Sequence, residues 1–153
     1  MNPDFKDLLQ ALNAHGVRYL IIGGYAVIKY AEPRFTKDLD IWVSPDIENA
    51  SKVYAALVEF GAPLFDLTPA DFEDEGFFYT IGMPPNRIDI LFDLHGVDTE
   101  SAWENRVIGV WGDVEVGFIG RSDLIKNKLA AGRLQDLLDI EKLRETENNN
   151  DEN

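Results

Sequence analysis

Three short apolar runs constrain this chain most. VRYLIIGG (residues 17–24), DLDIWV (Asp38 to Val43) and RIDILFDL (Arg87 to Leu94) are too short for buried helices and rich in β-branched or aromatic residues. They read as strands. Stretches with helical periodicity surround them. Asn2 or Asp4 can cap a first helix with Pro3 in its first turn and a stripe of Phe5, Leu8, Leu9 and Leu12, stopped at Gly16. Tyr25 to Ala31 reads as a second helix, closed by the Glu32-Pro33 step because the residue before proline avoids helical angles. Ser44 or Asp46 caps a third, running through Ile47, Val53, Leu57 and Phe60 to Gly61.

The middle of the chain is less regular. Thr68 to Asp71 suggests a short helix, and Phe77 to Leu94 a hairpin turning at Pro84-Pro85-Asn86. Asp98 to Asn105 holds one or two helical turns, and VIGVW and VEVGFI form a second hairpin across Gly112-Asp113. From the N-cap candidate Ser122 the pattern is helical again: Leu124, Ile125 and Leu129, a break at Gly132, then Leu134, Leu137, Leu138, Ile140 and Leu143. This order fits α+β or α/β and no pure class. No repeat or linker divides the chain. One domain over 1–145 is expected, followed by an acidic, disordered tail at 146–153.

Composition narrows the chemistry. With 153 residues, 45% of them hydrophobic, the chain can bury a core of ordinary size. It has no cysteine, which excludes disulfides, thiolate metal sites and cysteine nucleophiles. Two histidines, His15 and His95, leave oxygen as the main metal ligand, favouring Mg²⁺, Mn²⁺ or Ca²⁺ over zinc. The net charge of −14 opposes broad, non-specific nucleic-acid binding, although a small basic patch remains compatible with it. Neither a signal-peptide pattern nor a membrane-length apolar run is present, so a cytoplasmic protein without a membrane partner is expected.

Carboxylates on apolar strands carry the chemical signal. In DLDI, Asp38 and Asp40 share one face of the strand while Leu39 and Ile41 point to the core. Two like charges side by side are costly unless a cation lies between them. Asp89 emerges likewise between Ile88 and Ile90, with Asp93 as a rival of the same parity. If the strands are neighbours, three carboxylates converge, as two metal ions roughly 4 Å apart require. Upstream, Gly23-Gly24 lies between strand and helix, where bare N–H groups can bind phosphate.

In this order the motifs resemble those of the polymerase β-like nucleotidyltransferases. GGYAVIKYAEPRFTKDLDIWV looks especially like the small stand-alone bacterial members related to abortive-infection toxins, with Arg34, Thr36, Lys37 and Asp38 matching an Arg-x-Thr-Lys-Asp run. LIKNKLAAGRLQDLLDIEKL is similar to their C-terminal stretch through Lys128, Arg133, Asp136 and Asp139. The resemblance covers residues 17–43, 87–93 and 121–143. It implies an α+β nucleotidyltransferase fold, a mixed sheet flanked by helices with further helices at the C-terminus. It also implies Mg²⁺- or Mn²⁺-dependent transfer of a nucleoside monophosphate from an NTP to tRNA, protein or a small molecule, in a toxin-related setting with a cognate antitoxin or neighbouring-gene partner. Asp38, Asp40 and Asp89 would be catalytic and bind metal. Gly23, Gly24, Arg34, Thr36, Lys37, Lys128 and Asp136 would form the nucleotide site, with Lys128 offering its charge to the triphosphate. Gly24 stands where many relatives carry serine, so a hydroxyl contact is missing.

Plainer roles compete at each position. Asp38 and Asp40 can be edge residues held by Arg34, Lys37 or Arg87, and Gly23-Gly24 a simple turn. Thr36 can bond its own backbone. Lys128 and Arg133 can belong to a solvated helix face with Asp136, and Asp139 reads as a surface acid. His15 and His95 need no role, and Trp42, Trp103 and Trp111 are expected to pack. The whole chain can also be a non-catalytic module of the same fold that binds a nucleotide or a protein.

Overall fold

The computed structural model describes residues 1–31, 36 and 38–151. Among these, six strands form one mixed sheet: β1 (Tyr19–Ile22), β2 (Asp38–Val43), β3 (Phe78–Ile81), β4 (Arg87–Leu91), β5 (Val107–Trp111) and β6 (Val114–Phe118). The order across the sheet is β3-β4-β2-β1-β6-β5. Pairing is parallel for β2 with β4 and β1 with β6, and antiparallel elsewhere. Both expected hairpins, β3–β4 and β5–β6, are present. The class is α+β.

Strand parity sorts the side chains into two cores. Tyr19, Ile21, Leu39, Ile41, Val43, Ile88 and Ile90 pack on one face. They meet α1 (Pro3–Ala14), α3 (Ile47–Phe60) and Phe72 of the 3-10 helix Pro69–Glu73. Leu20, Ile22 and Trp42 point the opposite way, toward α2 (Gly23–Tyr30), α4 (Thr99–Glu104), α5 (Arg121–Ala131) and α6 (Leu134–Asp151). A sheet covered on both faces explains why β1 is apolar throughout. No helix among the described residues is long and apolar enough to cross a membrane.

Caps locate several helix ends. Asn2 caps α1 by accepting from the Asp4 N–H, and Asp46 caps α3 by accepting from the Asn49 N–H. Gly61 ends α3 in the left-handed conformation. Helix α5 begins at Arg121 with Gly120 as its N-cap, so Ser122 lies inside the first turn and does not cap it.

The C-terminal helices depart most from expectation. Leu134 is 76% exposed, and Leu129, Leu137 and Leu138 are also exposed, although their spacing suggests a core stripe. The buried face of α6 is instead Asp136, Asp139, Ile140 and Leu143, a helical i, i+3, i+4, i+7 series. The polar pair turns inward because Lys128, itself buried on α5, supplies its counter-charge. Helix α6 also continues to Asp151, past the domain end expected at residue 145. Residues 145–151 contain no glycine or proline to stop it.

Candidate active site

The candidate carboxylates lie on the α2 side of the sheet. Asp38 and Asp40 share that face of β2, opposite Leu39 and Ile41, which are fully buried. Strand β4 runs parallel beside β2 in a register that sets Asp38 against Arg87 and Asp40 against Asp89. Neighbouring strands are about 4.8 Å apart, so in-register carboxylates on one face must interact. The line continues outward, with Ile22 beside Asp40 and Thr80 beside Asp89. Four strands thus meet at one row.

Asp93 takes no part in that row. It lies past the end of β4, accepts from the Leu94 N–H at 2.7 Å and pairs with His95 at 3.3 Å. Asp89 is the carboxylate hydrogen-bonded to Asp40.

Charge is crowded here. Burial, followed by repulsion from Asp89 and Asp38 and the hydrogen bond with Asp89, pushes the Asp40 carboxyl up to about 7, against a weaker opposing pull from Lys128. Asp38 Oδ1 is buried and has no hydrogen-bond partner among the described residues, an orphan acceptor. The donor set consists of hard carboxylate oxygens, one of them unsatisfied, which suits Mg²⁺ or Mn²⁺. A ready-made cluster of three ligands is nevertheless absent among the described residues. Asp89 Oδ1 is already engaged by the Thr80 hydroxyl at 2.8 Å and by Arg87 Nε at 3.0 Å.

The glycine pair is part of the site's geometry. Strand β1 ends at Ile22, and α2 starts at Gly23 rather than at Tyr25, so both glycines open its first turn. Gly23 has φ +67°, and a Cβ built on it would overlap Asp40 Oδ2. Only glycine brings the backbone this close to the carboxylate. No side chain caps α2, since Ile22 occupies the N-cap position. Helix N-terminal N–H groups without a side-chain cap can bind an anion. Gly24 is buried behind them.

Lys128, paired with Asp136, lies near enough to the row to pull on Asp40. Lys128 is 5% exposed and its ammonium lies 3.2 Å from Asp136 Oδ1 and 3.0 Å from Asp139 Oδ2. Asp139, expected at the surface, is fully buried and also accepts from Gln135. Arg133 extends to solvent yet donates from its backbone N–H and from Nε to Asp136 Oδ2. Burial would raise the Asp136 carboxyl, but bonds from Arg133 and Lys128 outweigh it and hold it below the usual range. Lys128 thus stands as a fixed charge held by two aspartates, not as an extended arm.

Thr36 donates to the Asp38 carbonyl at 3.4 Å, the local backbone bond expected of a loop threonine. Arg34 and Lys37 lie outside the described residues. His15 pairs with Glu59 on the other side of the molecule, between α1 and α3. Trp42 is buried beneath the site face, while Trp103 sits under Arg106 and Arg18.

Sequence reasoning missed Arg87 as a site residue in its own right. It appeared only as a possible holder of Asp38 and Asp40, whereas its closer contact is with Asp89. The signal was available, because Arg-x-Asp on a strand puts both side chains on one face. No family model matches the chain, and no curated protein matches it at a significant level.

Proposed function

We propose that this chain is a divalent-metal-dependent nucleotidyltransferase of the polymerase β type, moving a nucleoside monophosphate from an NTP to an acceptor hydroxyl. One observation carries this reading: Asp38, Asp40 and Asp89 lie on one face of adjacent parallel strands, with Gly23 packed against Asp40. Divalent ions, held by Asp38, Asp40 and Asp89, would supply Lewis-acid charge neutralisation for the transfer. Asp38 and Asp40 hold that charge, and Asp38 Oδ1 is the acceptor in need of it. Asp89 orients the acceptor hydroxyl and takes its proton. The uncapped N–H groups of α2 bind the phosphates as pyrophosphate leaves. Lys128 acts as a buried positive charge that favours an ionised Asp40.

A second reading is favoured by one contact. Arg87 lies 3.0 Å from Asp89 and 4.0 Å from Asp38, so part of the negative charge is already balanced without a metal. That would suit a non-catalytic module that binds a nucleotide or a protein. Calorimetric titration of each NTP with and without Mg²⁺, on wild type and on the Asp38→Asn, Asp40→Asn double variant, separates the two. Metal-dependent binding lost in the variant, with pyrophosphate released once an acceptor is supplied, is the outcome expected of an enzyme. Nucleotide binding indifferent to both metal and aspartates would refute it. The acceptor classes to screen are tRNA, protein hydroxyls and small molecules.

A further inference from the structure

Arg87 opens β4 and projects from the same strand face as Asp89, two residues on. Its Nε donates to Asp89 Oδ1 at 3.0 Å and lies 4.0 Å from Asp38 Oδ2, so one guanidinium spans two of the three carboxylates. Thr80 donates to the same Asp89 oxygen at 2.8 Å. Two donors thus already occupy that Asp89 oxygen, and no three-ligand cluster exists among the described residues. The Arg87 side chain is 41% exposed. It can leave the carboxylates without disturbing the core.

We propose that Arg87 is a built-in counter-cation that occupies the place of the second divalent ion, so that this ion enters only by displacing the guanidinium. The role rests on the two-metal reading of the site. The metal-free protein then offers one open position, at the Asp38–Asp40 pair, where the unpartnered Asp38 Oδ1 lies. Asp89 stays closed until an ion accompanied by an anionic ligand outcompetes Arg87. A triphosphate supplies both the second ion and a new partner for the freed guanidinium, whose planar fork suits phosphate as well as carboxylate. Arg87 is therefore a positioning residue that couples the second metal to nucleotide arrival.

This role has an unusual sign. Removing a residue that merely supports the site weakens metal binding, whereas removing a competing cation strengthens it. An opposite charge within about 4–6 Å lowers a carboxylate's affinity for a proton by one to three powers of ten, and it opposes a divalent ion in the same sense. The test is Mn²⁺ titration followed by electron paramagnetic resonance on wild type, Arg87→Gln, Arg87→Lys and Asp40→Asn, each with and without a non-hydrolysable NTP analogue. Without nucleotide, wild type should bind one Mn²⁺ and take a second only when the analogue is added. Arg87→Gln should bind two without nucleotide, the second at least about tenfold more tightly than wild type, while Arg87→Lys keeps a cation and falls between them. Equal or weaker Mn²⁺ binding in Arg87→Gln, with binding still lost in Asp40→Asn, would overturn the role of Arg87 and leave the metal site standing. Mn²⁺ binding unchanged or absent across all four proteins would overturn both.

Discussion

Replacing Asp40 with asparagine should stabilise the metal-free protein at neutral and alkaline pH. In the folded protein this carboxyl is raised from 3.8 to about 7 by burial and by Asp89 and Asp38 beside it. A raised acid binds its proton more tightly folded than unfolded, so its ionisation opposes folding. The cost is absent below the unfolded value of 3.8, grows as pH rises and is complete above about 7. Three units at about 1.4 kcal/mol each give a ceiling of about 4 kcal/mol. Asparagine keeps the shape and can still donate to Asp89 without ionising. Urea unfolding of both proteins in chelator, from about pH 4 to about pH 8, measures the effect as a difference between two stability curves, cancelling other carboxylates. The Asp40→Asn protein should gain about 2–4 kcal/mol relative to wild type across that range. Millimolar Mg²⁺ should then close the gap by stabilising wild type alone. A difference flat to within about 0.5 kcal/mol over the same range would refute the crowded-carboxylate account.

Three further outcomes follow from the geometry. Gly23→Ala forces a Cβ onto Asp40 Oδ2 at a positive φ, so thermal melts should show a loss of about 1–3 kcal/mol and NTP titration no binding; wild-type behaviour would mean the backbone is not held against the carboxylate. Lys128→Met removes the buried ammonium from between Asp136 and Asp139, and urea unfolding should show a cost of about 3–5 kcal/mol; a neutral result would place the lysine in solvent. Leu134→Ser and Leu137→Ser change exposed positions and should stay within about 0.5 kcal/mol of wild type in the same assay, whereas a large loss would put these leucines in the core.

What could be read from the chain tracks how local the physics is. Alternation in Asp38-Leu39-Asp40-Ile41 and in Ile88-Asp89-Ile90 assigned faces correctly, because strand parity needs no tertiary information. Choosing Asp89 over Asp93 needed the strand's end and its register with β2, both set by pairing across the sheet. The inward turn of Asp136 and Asp139 was illegible for a similar reason. A leucine-rich helix ordinarily buries its leucines, and only the position of Lys128 on the preceding helix reverses that preference. Gly23-Gly24 was expected to precede the helix and instead opens it, and its contact with Asp40 depends on where a neighbouring strand lies. Local signals fixed elements, and pairing between distant segments fixed the site.

The register between β2 and β4 also sets a timetable. These strands are parallel, so the chain must cross over through α3, the 3-10 helix and β3 before Asp89 can reach Asp40. Contacts that close long stretches of chain form late and slowly in folding. A nascent chain ending before β4 would hold Asp38 and Asp40 together with neither Arg87 nor Asp89 beside them. The protein therefore gains its three-carboxylate row in the same event that joins the β3–β4 hairpin to β2. Whatever binds there reports on the integrity of that long-range pairing.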